Sequence, residues 1–85
     1  MKKITMFYLQ SCPYCIQAFK WMDEIKAENP AYSDTEIALI EESRQPDIAN
    51  AYDYYYVPTY YVDGRKVHEG AATKEKIADV FEQAR

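Results

Sequence analysis

Cys12-Pro13-Tyr14-Cys15 constrains this chain more than any other stretch. It holds both cysteines and stands between two segments of different periodicity. Ahead of it, Ile4-Thr5-Met6-Phe7-Tyr8-Leu9 is β-branched, aromatic and nearly continuously apolar, the pattern of a strand buried in a sheet. Behind it, Cys15, Ala18, Phe19, Met22 and Ile25 recur at helical spacing and define a buried stripe. Pro13 suits the first helical position, where a missing N–H costs nothing. Two residues three apart in a first helical turn share one face, so their Cα atoms fall inside the roughly 4.4–6.8 Å that a disulfide tolerates. The first cysteine then lies among N–H groups without intrahelical partners, at the positive end of the helix dipole, which favours a thiolate. An ordinary thiol of pKa about 8.5 is only a few per cent ionised at neutral pH, so this placement separates a nucleophile from a bystander.

Other uses of the pair are weaker. A structural disulfide closing so short a loop would add only about 2 kcal/mol in the chain-entropy model, so a staple would span more chain. A mononuclear zinc site calls for four ligands, and the chain offers two cysteines and one histidine, His68. A cluster shared between two chains stays open as an alternative. Redox exchange is the leading reading of the residues.

Eighty-five residues make one domain, residues 1–85, with a single modest core. A hydrophobic content of 48% is that of a globular protein and excludes a disordered one. The net charge of −4, its signs interspersed, argues against nucleic acid or an anionic membrane as the main partner. Met1-Lys2-Lys3 and the apolar run after it resemble the start of a secretory leader, but that run is short and meets Gln10-Ser11-Cys12 with no small-residue cleavage site. The expected setting is the cytoplasm, where two thiols persist if they do chemistry or bind metal.

The remaining elements follow from their patterns. The first strand is expected over about Lys3 to Leu9, and the first helix stops at Asn29-Pro30 because a residue before proline avoids the α region. Thr35 to Ile40 reads as a second strand, parallel to the first across the helix. Pro46 to Ala51 gives a short second helix, and the run around Tyr54-Tyr55-Tyr56-Val57 leads into Pro58-Thr59-Tyr60-Tyr61-Val62. Asp63-Gly64 between strand-like runs is a hairpin turn, pairing Lys66–Glu69 with Thr59–Val62. Gly70 breaks the strand, and Thr73 caps a last helix from Lys74 to about Gln83, whose buried stripe is Ile77, Val80 and Phe81. The order is β-α-β-α-β-β-α: an α/β fold with a four-stranded mixed sheet and three helices.

With those residues placed, the chain resembles the glutaredoxin family within the thioredoxin fold over essentially its full length. Cys12-Pro13-Tyr14-Cys15, the Val57-Pro58 dipeptide heading a strand, and the glycine turn before the last helix carry the resemblance. It implies a dithiol thiol–disulfide oxidoreductase for cell redox homeostasis and electron transport. Cys12 would be the exposed nucleophile and Cys15 the resolving thiol, with Pro13 and Tyr14 tuning the thiolate. It further implies a cis Pro58 facing the cysteines, a substrate lying as an added strand on the Val57 backbone, and a substrate-binding set of Tyr56, Val57, Pro58, Gly70 and Thr73. Classical thioredoxins carry Gly-Pro between the cysteines and a buried carboxylate on the preceding strand. Met6 stands at about that position here, which directs the resemblance toward glutaredoxins and glutaredoxin-like redoxins.

The family's glutathione contacts match only in part. Leu9 stands where a lysine precedes the first cysteine in the family, Asp53 and Tyr54 where a basic residue is common, and Tyr56 where a threonine is usual. Glu69-Gly70 and Thr73 replace a Gly-Gly and the following aspartate. Two sources of electrons therefore stay open: glutathione, or a flavoprotein such as thioredoxin reductase, as in redoxins that serve ribonucleotide reductase. No tightly bound cofactor or metal is expected, and the partners are disulfide-bearing proteins or glutathione mixed disulfides acting on a monomer. An alternative of another class is a glutathione-assisted iron–sulfur module bridging two chains through Cys12. Tyr52, Tyr54, Tyr55, Tyr56, Tyr60 and Tyr61 gather around Pro58. They are expected as strand formers, half facing helices and half covering a sheet edge. Trp21 is expected to pack beside the helix stripe, and His68 to lie exposed on a short strand.

Overall fold

The computed structural model describes residues 2–85; Met1 of the leader-like start lies outside them. Four strands form one sheet in the order β2-β1-β3-β4: β1 is Ile4–Tyr8, β2 Ile37–Glu41, β3 Thr59–Val62 and β4 Arg65–Glu69. β1 pairs parallel with β2, bringing Tyr8 beside Glu41, and antiparallel with β3, bringing Phe7 beside Thr59. β3 and β4 pair antiparallel through Asp63 and Gly64, whose φ values of 53° and 83° are those of the turn that matches strand twist in a two-residue hairpin.

Helix α1, Pro13–Glu28, starts with Cys12 as its N-cap and Pro13 as its first residue. It stops at Asn29, whose side chain accepts the Ala31 N–H to open a 3-10 turn over Pro30–Tyr32. Helix α2 is the four residues Pro46–Ala49, two shorter than expected. Helix α3, Lys74–Gln83, is capped by Thr73, whose hydroxyl accepts the Lys76 N–H at 3.2 Å. The α/β architecture expected from the sequence, a four-stranded mixed sheet with three helices, is the one observed.

The two faces of the sheet are covered differently. On one, Ile4, Met6, Tyr60 and Val62 meet Ala18, Met22 and Ile25 of α1 and Ile77, Val80 and Phe81 of α3. Lys74 joins the two helices, its Nζ lying 3.0 Å from Glu24 and 2.7 Å from Glu28. Phe19 is half-buried rather than part of the buried stripe, its ring edge-on to Tyr8, while Trp21 packs at the margin of this core. On the other face, Phe7 and Tyr61 are covered by Ala49, Ile40, Tyr52 and Tyr54.

Two details differ from the sequence reading. β3 starts at Thr59, where its pairing with β4 was expected to start, because Pro58 has no N–H to give the ladder, so the tyrosines ahead of Pro58 are not the strand formers expected. Tyr55 and Tyr56 are exposed outside the sheet, at 86% and 70% of their surface. His68 is half-buried, its Nε2 lying 3.0 Å from the Gly70 carbonyl oxygen and its ring beside Tyr60. β4 is an edge strand, but the turn at Gly70 folds back and covers the imidazole.

Candidate active site

β1 delivers the chain to one end of the sheet, where residues 9–12 turn into α1. The Cys12 N–H donates to the Leu9 carbonyl at 3.1 Å, and the Cys15 N–H donates to the Cys12 carbonyl at 3.0 Å. This compact turn places Cys12 partly exposed at the tip and Cys15 one turn in, only 1% exposed. Both thiols are free. Burial pushes the Cys15 thiol up to about 12. A backbone hydrogen bond from Leu9 opposes that rise, whereas the charge of Cys12, a hydrogen bond with the Cys12 side chain and the charge of Glu42 add to it. Cys15 therefore keeps its proton while the pair is reduced. Pro13 and Tyr14 are both exposed, the Tyr14 ring at 61%.

Because β3 runs antiparallel to β1, its start lies at the same end of the sheet as this turn. There the Val57–Pro58 peptide is cis. The Pro58 carbonyl accepts the Gly70 N–H at 2.8 Å, and the Thr59 hydroxyl donates to the Tyr56 carbonyl. Gly70 has φ +91°, and a Cβ there would come within 3.7 Å of the Tyr56 Cβ. Tyr56, Val57, Pro58 and Gly70 thus form one corner. Thr73 caps α3, three residues beyond it. Glu69 Oε2 accepts the Tyr55 and Tyr56 N–H groups at 2.6 and 3.1 Å, while its other oxygen pairs with Lys66 at 2.7 Å. The Lys66 hydrogen bond, followed by the Tyr55 N–H, pulls the Glu69 carboxyl down to about 2.

Two residues at the site went unremarked in the sequence. Glu41 ends β2 beside Tyr8 and is buried. Its Oε2 accepts the Gln10 N–H at 3.1 Å, and its Oε1 accepts both the N–H and the hydroxyl of Ser43 at 2.6 Å. Those donors, Ser43 first, hold its carboxyl down at about 2. Glu41 thereby ties the turn that presents Cys12 to the chain after β2. Arg44 reinforces the tie, its guanidinium donating to the Gln10 side-chain oxygen at 3.1 Å. Glu42, next in line, accepts the Tyr54 hydroxyl at 2.7 Å. The visible signal for both was an acidic pair directly after an apolar strand, Leu39-Ile40-Glu41-Glu42.

A thioredoxin-domain family model matches residues 2–82. The chain belongs to the thioredoxin-domain family. A thioredoxin of Methanocaldococcus jannaschii is 30% identical over 81 residues, covering 95% of this chain and 93% of that protein. Among solved structures, a thioredoxin-like protein from Clostridium perfringens superposes with a TM-score of 0.69 at 28% identity, over 99% of this chain and 71% of its own. Fasciola hepatica thioredoxin superposes with a TM-score of 0.73 at 18% identity, over 99% and 81%; at that identity the likeness speaks for the fold. The thioredoxin fold and the thioredoxin relative support thiol–disulfide oxidoreductase chemistry. Among the described residues, no helix is long and apolar enough to cross a membrane.

Proposed function

We propose that this thioredoxin-family protein is a dithiol reductant of protein or small-molecule disulfides, working through Cys12-Pro13-Tyr14-Cys15 with glutaredoxin-like features. The observation that carries the reading is the asymmetry of the pair: a reachable sulfur at the helix N-terminus above a buried thiol held protonated. The Cys12 thiolate attacks a substrate disulfide, forming a Cys12–substrate bond and expelling one substrate thiolate, which takes up a proton. Cys15 then attacks the Cys12 sulfur, the second substrate thiol leaves, and Cys12–Cys15 is the oxidised product. Two electrons pass from protein to substrate. The substrate lies against Val57 at the corner formed with Tyr56, Pro58 and Gly70, as an added strand, with Thr73 beyond it.

The protein works in the cytoplasm as a monomer without a tightly bound cofactor. For recharging, a flavoprotein reductase is favoured over glutathione. Leu9 stands before the cysteines, and the Glu69 carboxylate already occupies the Tyr55 and Tyr56 N–H groups at the corner. Glutathione carries two carboxylates of its own and finds those donors taken.

Insulin reduction by the wild type, Cys12→Ser and Cys15→Ser tests the assignment. Cys12→Ser is expected to lose turnover entirely, and Cys15→Ser to accumulate mixed disulfides; full activity of Cys12→Ser would sink the reading. Recharging by glutathione with its reductase against thioredoxin reductase separates the two electron sources. Leu9→Lys and Tyr56→Thr should leave the fold intact and improve the use of glutathione.

A further inference from the structure

Glu69 differs from the other ion-paired carboxylates among the described residues. Glu24 and Glu28 meet Lys74, and Glu82 meets Arg85, across helix surfaces. Glu69 instead ends β4 opposite Thr59, and its half-buried side chain reaches over the corner to the main chain. Oε2 takes the N–H groups of two successive residues, Tyr55 and Tyr56, at 2.6 and 3.1 Å, and Oε1 takes the Lys66 ammonium at 2.7 Å. Successive N–H groups converging on one oxygen, with a cation on the other, are the donor set that suits a free carboxylate. The chain has built such a seat and filled it with its own side chain.

The donors do not owe their places to Glu69 alone. Lys66 also donates to the Asp53 carbonyl at 3.1 Å, and the Tyr61 hydroxyl donates to the same oxygen at 2.8 Å. At the other end of the segment, the Thr59 hydroxyl donates to the Tyr56 carbonyl. Segment 53–56 is therefore tied to β3 and β4 on both sides of the two N–H groups. Its Tyr55 and Tyr56 rings are exposed, so nothing on the solvent side closes the seat. Tyr56 leads directly into Val57, and Gly70, next to Glu69, donates its N–H to the Pro58 carbonyl at 2.8 Å. The seat thus adjoins the backbone on which the substrate is proposed to lie.

We infer that Glu69 is a specificity-determining residue: by filling the anion seat beside Val57, it turns away disulfides that carry a carboxylate near the sulfur and leaves neutral and cationic ones as the favoured class. This rests on the dithiol reading above. Lys66 is the other half of the device. With Glu69 in place its charge is matched, and without Glu69 it would attract the anions now excluded.

Three small disulfides test this: dithiodiglycolate, a dianion; hydroxyethyl disulfide, which is neutral; and cystamine, a dication. The measurement is the rate at which each oxidises the reduced protein, expressed relative to hydroxyethyl disulfide. In Glu69→Ala the relative rate of dithiodiglycolate should rise about tenfold, the scale of one hydrogen bond to a charged group, and that of cystamine should fall. Glu69→Gln, which keeps the shape and one acceptor oxygen, should move both ratios the same way by less. Acetate should slow dithiodiglycolate in Glu69→Ala by occupying the vacated seat, with chloride at equal ionic strength as the reference. Adding Lys66→Met to Glu69→Ala should remove the gain. Unchanged ratios in Glu69→Ala would overturn the inference, because a merely structural residue moves all three rates together. A gain that acetate does not reduce below the chloride reference would overturn it too, since it would reflect net charge and no seat. A wild type whose Cys12 and Cys15 are oxidised by none of the three would instead overturn the dithiol reading.

Discussion

The two faces of the sheet bury their strands by different means. The face under α1 and α3 is closed by aliphatic and aromatic side chains in helical register, and Ile4, Met6, Tyr60, Ile77 and Phe81 have no measurable exposure. The opposite face has only the four residues of α2 and relies on rings. Phe7 lies 4.7 Å from Tyr52, 4.8 Å from Tyr54 and 5.7 Å from Tyr61, centroid to centroid. Tyrosine suits such a thin cover because its ring excludes water while its hydroxyl finds a partner at the rim. Tyr61 donates to the Asp53 carbonyl at 2.8 Å and Tyr54 to Glu42 at 2.7 Å. One face thus supplies most of the core, and the other supplies a polar rim that reaches the cysteine turn.

The sharpest test of that division is Phe81→Ala in the helical face. Truncating a fully buried phenylalanine is expected to cost about 3–5 kcal/mol, read as a lower urea midpoint. A cost near that of a surface substitution would mean that the helical face is not the main core.

Acid titration probes the rim next. The Glu41 carboxyl is held at about 2 against an ordinary 4.5. A depressed folded pKa contributes stability that is present above the ordinary value and lost as pH falls toward the folded one. Urea midpoints of the wild type should therefore fall between pH 4.5 and about 2, with Glu69 contributing over the same window. Glu41→Gln should be less stable at neutral pH and should flatten that fall. An unchanged slope would remove Glu41 as the tie between the Cys12 turn and β2.

Tyr61→Phe keeps the ring and deletes the bond to Asp53, so a loss of about 1 kcal/mol is expected; a loss as large as that of Phe81→Ala would erase the contrast between the faces. Tyr55→Ser should change stability by no more than about 0.5 kcal/mol, as surface substitutions do, because its ring is 86% exposed. A larger loss in the same denaturation measurement would make Tyr55 part of the cover.

Much of this was open to a reader of the sequence. Pro13 after Cys12 fixed where α1 begins, Asn29-Pro30 where it ends, and Asp63-Gly64 the hairpin, because each acts through its own backbone angles or its missing N–H. The spacing of the cysteines likewise set them one helical turn apart. The fate of the tyrosines was not readable in this way. Tyr54, Tyr55 and Tyr56 are chemically alike and adjacent, yet one is half-buried against Phe7 and two face solvent, because the strand starts only after Pro58.

The carboxylates make the same point at the site. Glu41 and Glu42 are identical neighbours, and only the parallel pairing of β2 with β1 gives them different surroundings. One is saturated by N–H and hydroxyl donors beside the Cys12 turn, and the other accepts the Tyr54 phenol at the rim of the aromatic face. Local sequence determined the elements, their ends and the dithiol motif, since propensity, capping and turn geometry act within a few residues. The tertiary structure alone decided which carboxylate ties down the turn before Cys12, because that depends on strand register between segments more than thirty residues apart.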